Sequence, residues 1–114
     1  MSLNKKTKDK KVNFEFNKEY LRVVTSKIAN NDTQFINNSF NEMHPADAAD
    51  IIEHLSQNDR ESLIKLNNFN IDPEVFVELN EAIQTEIITY LSSDSIVSIL
   101  KGLESDDAIS ILEN

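Results

Sequence analysis

Cysteine is absent from the chain, glycine occurs once, at Gly102, and proline only twice, at Pro45 and Pro73. Without cysteine there is no disulfide scaffold, zinc–cysteine site, iron–sulfur cluster or thiol nucleophile. One glycine excludes the phosphate-cradling loops of Rossmann and Walker type, which need two or more glycines at fixed spacing. The longest apolar run is Val75-Phe76-Val77, far short of the roughly 20 apolar residues of a membrane-spanning helix. It is also shorter than the apolar core of a secretory signal. Basic residues are scarce over residues 41–114, where Arg60, Lys65 and Lys101 face sixteen acids for a net −13. Such a surface repels nucleic acid and anionic lipid and attracts divalent cations or a basic partner.

The rest of the composition describes a foldable domain. The 114 residues are 39% hydrophobic and 27% charged, which suits one globular unit. The overall charge of −9 is unevenly spread. Residues 1–11 hold five lysines against Asp9, and residues 12–40 balance to zero. Residues 1–16 therefore read as a disordered basic tail, whose lysine-rich first eleven residues are nearly devoid of apolar side chains that could anchor them. Residues 17–114 read as the folded part.

From residue 44 onward one pattern recurs, a cap-like polar segment followed by apolar residues four and three positions before a leucine. Ile51, Ile52 and Leu55 fit it, as do Val75, Phe76 and Leu79; Ile87, Ile88 and Leu91; and Ile99, Leu100 and Leu103. Leu63 and Leu66 fit in part. Apolar residues at i, i+1 and i+4 form one stripe of a helix. A step of about twelve leaves helices of only two turns or so, which are unstable alone and must share a core. The fold expected is all-α, a right-handed superhelix of short antiparallel helices stacked as a solenoid.

The helices predicted are 46–55, 57–66, 73–79, 81–91, 93–102 and 106–114. Pro45 and Pro73 suit first helical positions, and Ser56 with Asp59 has capping-box spacing. Upstream, Tyr20, Leu21, Val24 and Ile28 share one face of a helix over 17–28. Asn31-Asp32 ends that helix, and Asp32 caps a second one carrying Phe35, Ile36 and Phe40. Ile111 and Leu112 make a leucine due just after Asn114, so the chain reads as a piece of a longer protein.

The run from His44 through Pro45, Ala46, Asp47, Ala48, Ala49, Asp50, Ile51, Ile52, Glu53 and His54 to Leu55 resembles the opening of the N-terminal cytosolic domain of the MgtE-type magnesium transporters. The runs Asp72–Leu79 and Leu103–Ala108 support the resemblance, which covers residues 17–114. It implies a right-handed superhelix that acts as a cytosolic magnesium sensor. The parent would be a membrane-embedded homodimer that continues into CBS domains and a pore, with this domain on the cytoplasmic face. Magnesium would bridge the acidic face of the domain to the CBS domains and hold the pore shut.

The resemblance also implies site residues. Glu74 and Asp106 match acids that help bind Mg2+ in the family, while Ser110 stands where a third acid can occur, which shifts the burden to Asp107 or to water. By position alone, all three acids sit in first helical turns, where the helix dipole favours an anion without any metal. His44 beside Asp47 reads as a helix start, and Asp50 with His54 as an i,i+4 pair rather than a metal site. Phe35, Phe40 and Phe76 fall at core spacing. No nucleophile or acid–base constellation is visible, so an enzyme is not expected. The alternative function is an acidic helical scaffold for a basic protein partner, as in the short-helix parts of the flagellar motor switch protein FliG.

Overall fold

Local signals set each helix of the computed structural model, which describes residues 18–103. Helix α1 (Lys18–Ala29) buries Val24 and Ile28 along one stripe. It ends in a Schellman arrangement, with Asp32 N donating to Lys27 O and Asn31 N to Ile28 O. Asn31 takes φ of 58° there, the left-handed position that asparagine tolerates better than most residues. The next residue then starts α2 (Thr33–Asn41), because the Asp32 carboxylate accepts from Phe35 N at 3.1 Å. One dipeptide thus stops one helix and caps the next.

Five further helices follow: α3 (Pro45–His54), α4 (Gln57–Ile64), α5 (Pro73–Glu78), α6 (Glu81–Ile88) and α7 (Ser93–Lys101). Pro45 and Pro73 occupy the first turns of α3 and α5 as expected. Ser56, Asp72, Asn80 and Ser92 cap α4 to α7 through side-chain oxygens. His44 precedes α3 but makes no side-chain cap. Helix α6 stops three residues before the predicted 91. Thr89, Tyr90 and Leu91 donate to carbonyls three residues back, a tightened last turn that brings the chain round into α7. The predicted helix 106–114 lies outside the described residues.

The apolar stripes meet in one core. Ile51, Ile52, Leu55, Leu63, Leu66, Val75, Phe76, Leu79, Ile87 and Ile99 are all buried, while Ile88, Leu91 and Leu103 pack against the core half-exposed. Packing runs chiefly between alternate helices: α3 on α5, α5 on α7, and α4 on α6, with α1 against α2 and α4. Phe40 closes on Phe69 edge to face at 6.1 Å, and Phe76 is fully buried. The aromatics serve the core rather than a ligand box. The described residues form an all-α unit of seven short helices with no strand.

Candidate cation-binding face

The start of α5 is built by three consecutive residues. Asp72 takes extended backbone angles, and its Oδ1 accepts from Glu74 N at 2.8 Å. Pro73 fixes the first helical φ and has no N–H to satisfy. Glu74 follows in the first turn with its side chain exposed. Its carboxylate has no hydrogen-bond or ion-pair partner among the described residues. Glu78, at the end of α5, and Glu81, at the start of α6, are exposed as well.

Several other acids are engaged. Glu53 accepts the backbone N–H of Asn80 at 2.7 Å, joining the end of α3 to the start of α6. Glu61 pairs with Lys65 at 2.7 Å. His54 Nδ1 lies 2.8 Å from Asp50 O and 3.5 Å from its carboxylate, the i,i+4 pair expected of that spacing. Asp47 Oδ2 is buried without a hydrogen-bond partner among the described residues. No group of three His, Asp or Glu side chains that could hold a metal comes together among the described residues. Asp106 and Asp107 lie outside them, so of the three predicted ligands only Glu74 has a described position.

The residue that sequence reasoning missed is Arg60. Its guanidinium is nearly buried and holds Glu86 with two bonds, Nε to Oε2 and Nη2 to Oε1, both at 3.0 Å. Nη1 donates to Leu55 O at 2.6 Å and reaches the carbonyls of Ile52 and Glu53 at 3.4 Å. It thereby satisfies the open carbonyls at the end of α3. Tyr90 donates to Glu86 Oε2 at 2.8 Å. Arg60 bonding holds the Glu86 carboxyl below its usual range, against a smaller opposing effect of burial. Burial, and then donation to Glu86, pushes the Tyr90 phenol up. The signal was present: Arg60 stands three residues before Leu63 and four before Ile64, on the buried stripe, where a lone arginine needs an acid.

The charge pattern follows from this. Of the three cations in residues 41–114, Arg60 is held by Glu86 and Lys65 by Glu61. Lys101 sits in the last turn of α7, where the dipole suits a cation. The exposed carboxylates Glu74, Glu78 and Glu81 form no ion pair among the described residues, and with acids in such excess the field is that of an acidic surface.

Residues 43–114, more than half of the chain, match the family profile of the MgtE intracellular N domain. No curated protein and no solved structure matches the chain.

Proposed function

Because the chain belongs to the MgtE intracellular N domain family, we propose that it is the cytosolic, magnesium-sensing regulatory domain of a magnesium transporter. The family is one of a transporter's intracellular domain and not of an enzyme. No helix among the described residues is long and apolar enough to cross a membrane, so the pore would belong to other parts of the parent. In this reading residues 17–114 form the sensor, a right-handed superhelix, and residues 1–16 are a basic tail. The parent is a homodimer in which the acidic face of the sensor meets CBS domains. Mg2+ bridges the two faces when abundant and releases them when scarce.

The family match carries this reading, and the start of α5 supports it. Magnesium takes oxygen ligands in an octahedron and keeps several waters, so one or two carboxylates from each face suffice. Glu74 offers an exposed carboxylate that is held in no ion pair among the described residues. Asp106 follows Gly102 by four residues, so the chain can extend at most about 14 Å between them. The space a Gly102 side chain would take is filled by Pro73, the residue before Glu74. In this reading Glu74, Asp106 and Asp107 serve one face.

A surface of this kind, lacking the ligands of its partner, binds weakly. Calorimetry of the isolated chain with Mg2+ is expected to give a dissociation constant of about 10⁻⁴–10⁻³ M or weaker, the class of exposed oxygen-ligand sites. Glu74→Gln is expected to weaken it further. A micromolar site, or binding indifferent to Glu74→Gln, contradicts the proposal and favours a scaffold for a basic protein.

A further inference from the structure

The end of α7 and the start of α5 meet at one joint. A Cβ placed on Gly102 would lie 2.5 Å from Pro73 Cγ and 3.2 Å from Pro73 Cβ. Gly102 has φ of −81°, a value open to every residue. The glycine therefore answers a need for space, not for backbone freedom.

Pro73 is an unusual neighbour for such a contact. Its Cγ belongs to a ring closed on its own backbone nitrogen, so the atom cannot swing away as the tip of a flexible side chain would. Restoring an ordinary carbon–carbon separation of about 3.5–4.0 Å moves the start of α5, or the end of α7, by about 1 Å. Helix α5 has only six residues, and Glu74 is covalently the next residue after the ring. A shift at Pro73 is thus a shift of Glu74 relative to the chain that leaves α7.

We infer that Gly102 is a positioning residue for Glu74: its missing side chain seats the end of α7 on the Pro73 ring and sets the backbone position from which the Glu74 side chain reaches a divalent cation. This rests on the reading of Glu74 as a cation ligand. The joint ties two helices that are alternate in sequence, so the placement of the acid depends on a residue twenty-eight positions away with no polar atom in its side chain.

The test is a Mg2+ titration of the 114-residue chain followed at individual amides by NMR. Gly102→Ala is expected to raise the midpoint at the Glu74 amide about three- to tenfold, at or below the lower end of what losing an outer-shell partner costs a metal site. The responses at Glu81 and Asp94 stay unchanged, which general destabilisation would not leave so. Pro73→Ala removes the ring and leaves only the 3.2 Å Cβ approach. The double variant Pro73→Ala/Gly102→Ala is therefore expected to fold and to bind within about twofold of Pro73→Ala alone. A wild-type midpoint in Gly102→Ala, an equal shift at every acid, or a double variant that is unfolded or as weak as the single one overturns the inference. Glu74→Gln separates the two levels. If it leaves the titration unchanged, the ligand reading fails; if it weakens binding while Gly102→Ala does not, only the joint fails.

Discussion

Replacing Arg60 with methionine is expected to lower unfolding stability by about 3 kcal/mol, read as a fall in the urea midpoint. Breaking a buried ion pair by removing one partner typically costs about 3–5 kcal/mol, because the other charge stays behind without compensation. The low end applies here, since the side chains of Arg60 and Glu86 keep 11% and 18% of their exposure. Two groups lose their Arg60 bonds at once: the Glu86 carboxylate, which keeps only the neutral Tyr90 hydroxyl, and the Leu55 carbonyl after α3. For a domain with a total stability of about 5–15 kcal/mol this is a large fraction. Replacing Glu86 as well, by leucine, removes the stranded charge and is expected to recover part of the loss. A double-mutant cycle with no coupling between the two positions contradicts this account.

The same pair sets an acid limb of stability. The folded Glu86 carboxyl titrates below its ordinary value of 4.5, chiefly through its bonds to Arg60. A lowered folded pKa means that the unfolded chain takes up the proton first. The stabilisation is therefore complete above pH 4.5 and is lost as pH falls through the lower folded value. In Glu86→Gln the wild-type protein's fall in stability below pH 4.5 becomes shallower.

Phe76→Ala is expected to cost about 3–5 kcal/mol, the range for truncating a large buried side chain. Phe76 is 1% exposed and is among the largest fully buried side chains of the core. Its helix has six residues and no length to hold itself together. Val75, Phe76 and Leu79 fasten it to the core, and the Gln84 amide donates to the Phe76 carbonyl at 2.9 Å. Loss of the ring loosens α5 before the neighbouring helices, so hydrogen exchange of the α5 amides accelerates more than that of α3. Phe76→Leu, which keeps most of the volume, is expected to cost less than half as much. Equal exchange protection of α5 and α3 in Phe76→Ala contradicts the role assigned to that side chain.

The helices and their caps were legible because the signals are local. Apolar stripes at i, i+1 and i+4 named the buried faces of α3 and α5, and Asp32, Ser56 and Pro73 were read as helix-start residues from their own sequence neighbourhoods. The end of α6 was not legible, because whether Thr89–Leu91 continue the helix or tighten into a turn depends on where α7 must lie. Arg60 was passed over for a related reason. Its partners are the carbonyls of one helix and a glutamate 26 residues away, and no local pattern links them. The reason for the single glycine was likewise hidden, since its counterpart, Pro73, comes close only in the folded chain. Of the site, Glu74 was placed at a helix start from Asp72-Pro73, whereas its role as a ligand came from resemblance, because an acid in a first turn has the same appearance with or without a metal.

The central claim is that this acidic domain senses magnesium at the start of α5. The most direct measurement is an amide NMR titration of the wild-type chain with Mg2+, run against NaCl at matched ionic strength. The account predicts saturable shifts concentrated at the Glu74 turn that NaCl does not reproduce. Small, uniform shifts over all acidic residues, equal for Mg2+ and for NaCl, would show only diffuse screening and would contradict it.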